Sequence, residues 1–268
     1  MPDLQHKRAL VTGSSSGIGE AIALRFAEEG AAGIAVHGRN RERAEAVAER
    51  VRALGAEAIV VIGDLATDAG AEAVADAVEA AWGGVDILVN NAGGESAGTG
   101  NAPWLDATPA EWVSTYQNKV ISMVRMIRRL APPMRERGWG RLIHVSSVVG
   151  HEPLTVIPDY GAAKAAILNL TRGLAKTFSR SGVTANSISP GLVRTPSVEA
   201  WLRGLAQSFG WGDDWEEIEK KVVEQFVQNH IGRVGRPEDI AHAAAYLASP
   251  RAGFVTGTDL LVSGWQQG

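Results

Sequence analysis

The chain has 268 residues, of which 45% are hydrophobic and 21% charged, and its formal net charge is −4. This charge argues against general nucleic-acid binding, which requires a basic surface, and the absence of cysteine excludes disulfides, thiolate catalysis and cysteine-based metal sites. The first residues lack the apolar stretch of a signal peptide, and no segment reaches the ~20 apolar residues of a membrane span. The sequence therefore predicts a cytoplasmic protein that binds neither nucleic acid nor a membrane.

Short apolar runs rich in β-branched residues recur along the chain, separated by longer segments with helical spacing. The runs are Ala9–Val11, Ile34–His37, Ile59–Ile62, Ile87–Val89, Leu142–Val145, Ala185–Ile188 and Asp259–Val262. Strands that are apolar on both faces and alternate with helices form parallel sheets covered on both sides. The sequence thus predicts an α/β fold: a doubly wound, Rossmann-type parallel sheet of about seven strands with helices on both faces, in one domain that spans residues 1–268.

Local signals predict where several helices begin and end. Ile18, Ile22 and Phe26 fall four residues apart on one helix face, and Gly30 follows as a stop signal. The segment Thr108-Pro109-Ala110-Glu111 is typical of a capping box with proline at the first helical position. The helix that follows is predicted to end near Pro132-Pro133 and to carry one apolar stripe, formed by Trp112, Tyr116, Val120 and Val124.

A glycine-rich turn follows the first predicted strand and opens a helix. Its candidate cofactor-binding residues are Gly13, Ser15, Ser16, Gly17, Ile18 and Gly19. The glycines permit a tight turn and a close approach of backbone N–H groups to a pyrophosphate, and the N-terminus of the following helix favours negative charge. A plain loop is the alternative, but the position at the first strand–helix junction favours nucleotide binding.

The end of the second predicted strand bears on the choice of nucleotide. A carboxylate about 20 residues after the glycines would bind the adenosine ribose of NAD, whereas this chain has Arg39 and Asn40 there. The planar guanidinium of Arg39 is suited to a 2′-phosphate, so the sequence favours NADP(H) over NAD(H). In the alternative interpretation, Arg39 begins a solvated helix face shared with Arg41 and Arg43.

Two further segments carry a family resemblance. One is Asn90-Asn91-Ala92-Gly93, directly after a predicted strand; the other is Tyr160-Gly161-Ala162-Ala163-Lys164, with Ser147 thirteen residues before the tyrosine. Together with the glycine turn, this ordered set resembles the single-domain branch of the short-chain dehydrogenase/reductase family, in particular the carbonyl reductases similar to 3-oxoacyl-[acyl-carrier-protein] reductase. The resemblance covers nearly the whole chain.

The resemblance implies a role for each matching residue. Tyr160 would be the general acid/base, Lys164 would bind the nicotinamide ribose and lower the tyrosine pKa, and Ser147 would polarise the substrate oxygen. Asn118 would hold a water in a proton relay. The further positions that match cofactor contacts are Asp64, Leu65, Asn91, Ala92, Gly93, Pro190, Gly191, Val193 and Thr195.

The sequence departs from the family pattern at two places. Ser263-Gly264-Trp265 stands where the family often has Asp-Gly-Gly, a position that concerns packing or the subunit interface. Ser16 stands where many NADP-dependent members carry a basic residue, so Arg39 would have to discriminate alone.

The spacing of the motif residues suits carbonyl chemistry. Tyr160 and Lys164 are four residues apart and share a helix face, and positive charge beside a phenol stabilises its phenolate. Taken singly, each residue has a structural interpretation: an ordinary helix residue, a solvated charge or the end of a strand. Together they predict an NAD(P)-dependent oxidoreductase that transfers hydride between its cofactor and a carbonyl or secondary alcohol. The alternatives are an NAD-dependent alcohol dehydrogenase, a lyase or epimerase, and a dinucleotide sensor.

Residues 196–230 match the substrate lid of the family and are rich in aromatic side chains. Trp201, Phe209, Trp211 and Trp215 either enclose a bulky or apolar substrate, with Trp104 on the other wall, or close the lid against the protein itself or a subunit interface. The resemblance also implies a homotetramer or homodimer, built on the helix from Pro109 and the helix from Tyr160 to Phe178.

Overall fold

The computed structural model describes residues 3–93, 103–227 and 229–265, which contain one parallel sheet of seven strands. The strands are β1 Arg8–Val11, β2 Gly33–Gly38, β3 Glu57–Ile62, β4 Ile87–Asn90, β5 Gly140–Val145, β6 Val183–Pro190 and β7 Asp259–Val262. They pair in the order β3-β2-β1-β4-β5-β6-β7. This arrangement confirms the predicted doubly wound sheet. The strand β6 is longer than expected because it continues to Pro190 as a fully buried strand.

Helices cover both faces of the sheet. They are α1 Gly17–Glu28, α2 Arg41–Ala53, α3 Asp68–Trp82, α4 Pro109–Tyr116, α5 Ser122–Glu136, α6 Pro158–Thr177, α7 Pro196–Phe209, α8 Trp215–Gln225 and α9 Pro237–Ala248. In β1, Ala9 and Val11 pack into the core shared with α1, α2 and α9, while Leu10 packs into the opposite core with α3, α5 and α6. This period of two explains why the strand is apolar throughout.

The predicted signals of α1 and α4 are confirmed. Ile22 and Phe26 are fully buried on one face of α1, and Gly30 follows the helix with a φ of 79°. The Thr108 side chain accepts the Glu111 N–H while the Glu111 carboxylate accepts the Thr108 N–H, which forms the capping box before α4.

The prediction of one long helix from Pro109 was wrong in two respects. A π-helical turn, Gln117–Ile121, separates α4 from α5, and α5 continues to Glu136 through the prolines at 132 and 133. The last turn of α5, beyond the first of these prolines, buries Met134 completely in the core. Of the predicted apolar stripe, Val120 is buried whereas Trp112, Tyr116 and Val124 are half-buried, and Thr115 and Lys119 are buried beside it.

The segment after β6 folds into α7 and α8 around a small core of its own, formed by Leu202, Ala206, Ile218, Val222, Val227 and Val234. Trp211 stacks on Phe209 with ring centroids 5.3 Å apart, and the Arg194 guanidinium lies 3.8 Å from the ring centroid of Trp215. Trp211 and Trp215 are therefore engaged within this segment, whereas Trp201 remains half exposed. Across the described ranges, no helix combines the length and the apolar character that crossing a membrane requires.

Two histidines within the sheet are held neutral by burial. His144 on β5 is fully buried beside the Asn90 amide, and burial lowers its pKa to about 3. His37 on β2 is also buried, and burial, opposed by its bond to the Gly63 carbonyl, lowers its pKa to about 4. Both residues accept a proton more readily in the unfolded chain, where the pKa of histidine is about 6.5.

We predict that the free energy of unfolding falls as the pH drops from about 6.5 towards 4. In this range His37 and His144 bind protons in the unfolded chain but stay neutral in the folded protein. For His37, the difference between 6.5 and about 4 corresponds to roughly 3 kcal/mol. Urea unfolding at a series of pH values measures this slope. His144→Gln cannot titrate and should flatten the slope, whereas the exposed control His242→Gln should not; equal slopes in all three proteins would contradict the prediction.

Candidate active site

The predicted site residues converge at the carboxyl edge of the sheet. The chain order reverses at β1, which pairs with β2 on one side and with β4 on the other. In open α/β sheets, a crevice for ligands forms outside the strand ends at such a switch point. The turn after β1, the loop after β4 and the end of β6 all lie at this edge, and Ser147 follows β5 there.

The glycine turn has the shape of a phosphate cradle. Gly13 and Gly17 have φ values of 67° and 59°, in the left-handed region that favours glycine. A Cβ on Gly19 would lie 2.4 Å from the Gly13 carbonyl oxygen and 2.5 Å from Asn91 Nδ2. The exposed Ser16 precedes α1 without a side-chain cap, so the N-terminus of α1 opens towards the crevice. These features fit a dinucleotide pyrophosphate.

His37 and Ser14 hold the turn against β2, although no motif in the sequence marks either residue as functional. His37 Nδ1 accepts the Gly13 N–H at 2.9 Å, which places the ring proton on Nε2, 3.1 Å from the Gly63 carbonyl oxygen. The His37 N–H in turn donates to Ser14 Oγ at 3.0 Å. A buried neutral histidine thus fixes the backbone of the cradle.

Asn91 connects the glycine turn to the loop after β4. Its Nδ2 donates to the Thr12 carbonyl at 2.9 Å, and Thr12 Oγ1 accepts the N–H groups of Asn91 and Ala92. The Asn91 side chain therefore supports the cradle, while the backbone of Ala92 and Gly93 borders the crevice. Gly93 has a φ of 147° and its carbonyl accepts a bond from Lys119.

The predicted adenine-side residues lie around the ends of β2 and β3. Arg39 and Asn40 are exposed after β2, and the Asn40 side chain accepts the Arg43 N–H at 2.9 Å as the cap of α2. Asp64 is exposed and Leu65 is buried after β3. The Asn40 side chain is thus engaged with its own helix, whereas the Arg39 side chain is exposed at the rim.

The predicted residues after β6 approach the same cradle. Thr195 caps α7 by accepting the Val198 N–H, and a Cβ on Gly17 would lie 3.2 Å from Thr195 Cγ2. Val193 is buried, and Gly191 donates its N–H to the Val262 carbonyl. Pro190 is the last residue of β6. The base of the α7–α8 segment therefore lies against the glycine turn.

Ser147, Tyr160 and Lys164 come together as the sequence predicts. Tyr160 and Ser147 share a hydrogen bond, and Lys164 Nζ lies 5.4 Å from the centroid of the Tyr160 ring. Lys164 is 8% exposed and donates to the Val145 carbonyl at 2.8 Å. Neither the tyrosine nor the lysine is a solvated surface residue.

Burial moves the two titrating groups in opposite directions. It raises the pKa of the Tyr160 hydroxyl, and the bond to Ser147 works against that rise. Burial, followed by the charge of Lys119, lowers the pKa of Lys164 to about 7. The lowering of the tyrosine pKa that we expect from nearby positive charge is thus opposed by the dry surroundings of the hydroxyl.

The helix that carries Tyr160 begins in a strained conformation. Ile157 has a φ of 52° and a ψ of 47°, a left-handed conformation that β-branched residues rarely adopt. The turn is fixed by Pro158 at the first helical position and by the buried Asp159, which accepts a hydrogen bond from Thr115 on α4. Strain of this kind persists where the surrounding structure over-determines the backbone.

Asn118 does not reach this cluster. Its Nδ2 donates to the Ser114 carbonyl at 2.9 Å, one turn back along its own helix. The neighbouring Lys119 takes the inward position: it is 4% exposed and its Nζ lies 5.7 Å from the Tyr160 ring centroid. Lys119 lies in the π turn, which no local sequence feature marks; the family resemblance pointed to Asn118, and Lys119 was missed.

We predict that Gly19→Ala weakens dinucleotide binding by about tenfold or more, because its methyl group would overlap the Gly13 carbonyl and overpacking costs about 1–3 kcal/mol. Fluorescence titration with NADPH and with NADH measures the loss, and thermal unfolding measures folding. Gly173→Ala, on α6 with open space around its Cα, is the matched control and should bind as the wild type does. Unchanged affinity in a folded Gly19→Ala protein would refute the steric argument.

Known proteins share this architecture over their full length. A protein-family model described as Enoyl-(Acyl carrier protein) reductase matches residues 13–264. The acetoacetyl-CoA reductase of Cupriavidus necator is 33% identical over 96% of both chains. The crystal structure of L-sorbose reductase from Gluconobacter frateurii, complexed with NADPH and L-sorbose, is 35% identical over 98% of both chains with a TM-score of 0.91.

A further solved structure extends the range of cofactors among the relatives. The 7α-hydroxysteroid dehydrogenase complexed with NADH and 7-oxoglycochenodeoxycholic acid is 32% identical, with a TM-score of 0.85 over 98% of this chain and 95% of that one. The relatives are oxidoreductases of CH–OH and C=O groups, and this chain is likewise an NAD(P)-dependent oxidoreductase of that class. The chain belongs to the short-chain dehydrogenase/reductase family.

Proposed function

We propose that this protein reduces a carbonyl group to a secondary alcohol, or catalyses the reverse reaction, with Tyr160 as the general acid/base and NADP(H) as the preferred cofactor. The observation that carries the proposal is the cluster of Tyr160, Ser147 and Lys164 beside a glycine cradle that fits a pyrophosphate. In this proposal the whole chain forms one catalytic domain, and residues 196–230 are its substrate lid.

The residues around the crevice would hold the dinucleotide at several points. The backbone of Gly13 to Gly19 would bind the pyrophosphate, Asp64 and Leu65 the adenine, and Ala92 with Gly93 a ribose. Pro190, Gly191, Val193 and Thr195 would border the nicotinamide end. The bound cofactor supplies the hydride, and the protein supplies position and electrostatics.

The proton of the reaction comes from Tyr160. Its hydroxyl donates to the substrate oxygen as negative charge develops there, and Ser147 Oγ stabilises the same oxygen as a second hydrogen-bond donor. The Lys164 ammonium stabilises the phenolate that remains, which offsets part of the cost of forming a charge in a buried site. The helix α6 fixes the tyrosine and the lysine on one face, so their relation does not depend on the substrate.

We predict that Tyr160→Phe lowers kcat by about 10²–10⁴-fold, because it removes the proton donor and keeps the ring. The assay follows NADPH and NADH oxidation with acetoacetyl-CoA, L-sorbose and a 7-oxo bile acid, the substrate types of the relatives. Tyr246→Phe, a partly exposed tyrosine on α9, is the matched control and should retain wild-type turnover. Substantial turnover by Tyr160→Phe would rule out the assigned role.

The aromatic residues of the lid divide into two groups. Trp211 and Trp215 are engaged by Phe209 and by Arg194 within the α7–α8 segment, which favours the interpretation that they close the lid on itself. Trp201 remains 47% exposed on α7, and we propose that it provides an apolar wall for a bulky substrate. Trp104 contacts Trp112 with ring centroids 5.8 Å apart, at the entrance to α4.

The proposed preference for NADP(H) depends on Arg39. Its guanidinium is exposed at the end of β2, close to the cradle where Gly38 packs against Ser15. A 2′-phosphate at this edge would receive the planar donors of an arginine. The relatives include proteins with NADPH and with NADH bound. Membership of the family therefore does not decide the cofactor preference, which depends on local residues.

We predict that Arg39→Leu raises the KM for NADPH by about 10–100-fold, since a charge-assisted hydrogen bond contributes about 1.5–3 kcal/mol, and leaves the KM for NADH nearly unchanged. Steady-state kinetics with both cofactors measure the ratio. Arg43→Leu, a nearby exposed arginine on α2, tests whether general positive charge suffices. Equal effects of the two substitutions would favour the solvated helix face, and a wild-type preference for NADH would overturn the selector role.

We also propose a homodimer or homotetramer located in the cytoplasm. The strand β7 forms an edge of the sheet, and exposed edges are normally covered. Large apolar side chains remain exposed near this edge, namely Tyr246, Phe254, Leu261 and Trp265. A second subunit covering this edge would remove them from water.

A further inference from the structure

Two buried lysines face the same tyrosine. The Nζ atoms of Lys119 and Lys164 lie 5.7 Å and 5.4 Å from the centroid of the Tyr160 ring. Their side chains are 4% and 8% exposed. Lysine is almost never fully buried without a reason, because its charged form is costly to remove from water. The second lysine is not part of the family pattern that the sequence matches, so its role needs its own explanation.

The backbone holds both amines in place. Lys119 Nζ donates to the carbonyl of Gly93, after β4, and Lys164 Nζ donates to the carbonyl of Val145, at the end of β5. Both side chains line one narrow cavity, in which the other described lining residues, among them Thr12, Asn90 and Ser122, are neutral. The two amines therefore occupy one poorly solvated space.

Lys119 lies in the π turn between α4 and α5 and is one of its buried residues. In Gln117–Ile121 the backbone accommodates one extra residue per turn, and Ser122 Oγ donates to the Asn118 carbonyl at 2.7 Å. Single π turns inside helices are frequent at functional sites. Within this turn, Asn118 Nδ2 donates to the Ser114 carbonyl, whereas Lys119 Nζ lies near the Tyr160 ring.

Charged side chains on the neighbouring helices have partners of their own at the described positions. From α6, the buried Asp159 carboxyl faces α4 and accepts a bond from Thr115, one turn before Lys119. From α5, Arg125 pairs with Asp68. Burial is the larger cause that lowers the pKa of Lys164, and the charge of Lys119 is the second; together they lower it to about 7.

We propose that Lys119 and Lys164 form a coupled pair of buried amines, in which Lys119 is a positioning residue. The charge of Lys119 favours release of the Lys164 proton, and Lys164 passes that proton to the Tyr160 phenolate in each turnover. The proposal rests on the proposed function of Tyr160 as the proton donor. Two like charges in one dry space titrate as a pair rather than independently.

Tyr160 loses its hydroxyl proton to the substrate oxygen and becomes a phenolate. A Lys164 N–H bond breaks, its proton passes to the phenolate oxygen, and Lys164 becomes a neutral amine. The amine regains a proton from solvent water. A group with a pKa near the working pH exchanges protons most efficiently in both directions.

The experiment measures the titration midpoint of Lys164 directly, in the protein without added dinucleotide. Lysines labelled with ¹³C at Cε are titrated by NMR, and the Lys164 signal is the one missing from Lys164→Gln. The variants are Lys119→Met, which removes the charge and keeps the length, and Lys119→Arg, which keeps the charge. Lys176→Met, the same substitution at an exposed position of α6, is the matched control.

We expect the Lys164 midpoint to rise by about one pH unit in Lys119→Met, because a neighbouring like charge is removed. It should stay at the wild-type value in Lys119→Arg and Lys176→Met. The alkaline limb of the kcat profile for carbonyl reduction should move upward by the same amount in Lys119→Met and stay in place in Lys119→Arg and Lys176→Met. A second neutral variant, Lys119→Gln, keeps a polar end for the Gly93 carbonyl and should give the same midpoint.

An unmoved Lys164 midpoint in both neutral variants would overturn the proposal. A purely structural Lys119 would instead show a lower unfolding temperature and weaker dinucleotide binding with an unchanged midpoint, which also overturns it. If the Lys164 midpoint moves while the alkaline limb of the kcat profile stays in place, proton transfer from Lys164 to Tyr160 is refuted. Failure of the wild type to reduce any carbonyl would count against the proposed function, and the NMR midpoint would still decide whether the two amines are coupled.

Discussion

The close approach of three backbone segments around Gly19 is the constraint on which the site depends. The turn after β1, the start of α1 and the loop after β4 meet so tightly that a Cβ on Gly19 would lie 2.4 Å from the Gly13 carbonyl oxygen. Asn91, Thr12 and His37 then join these segments by hydrogen bonds. The position of Gly93, and through its carbonyl the position of Lys119, follows from this junction.

Burial is the common cause of the electrostatic features in this protein. It keeps His37 and His144 neutral inside the sheet, where the first serves as a hydrogen-bond acceptor for the glycine turn. At the site, the same effect raises the pKa of Tyr160 and lowers that of Lys164. A phenol and an ammonium ion, which differ in charge, respond oppositely to removal from water. The fold thus determines proton affinities through solvent exclusion as much as through charge pairs.

Much of the fold and part of the site could be predicted from the sequence. Apolar runs of strand length located the seven strands of the described residues, and Ser147, Tyr160 and Lys164 are brought together as the family resemblance implies. The π turn could not be predicted, because a helix interrupted by one extra residue has no local signature and is stabilised by tertiary packing. The continuation of α5 past its prolines, to a turn that buries Met134, likewise departs from the local signal. The support of the glycine turn by His37 depends on contacts between segments that are distant in sequence.

The π turn at Gln117–Ile121 also has a consequence for how this enzyme can evolve. In a regular helix, exchanging the side chain that faces a reaction centre requires substitution at one fixed position. Here the backbone path decides which of two adjacent residues faces inward, so the loss of one residue from the turn would rotate Lys119 away and present a neighbour without any substitution. Comparing relatives by aligned columns alone would therefore equate residues that occupy different places in space. In this chain, a change of length inside one helix would change which side chain faces Tyr160.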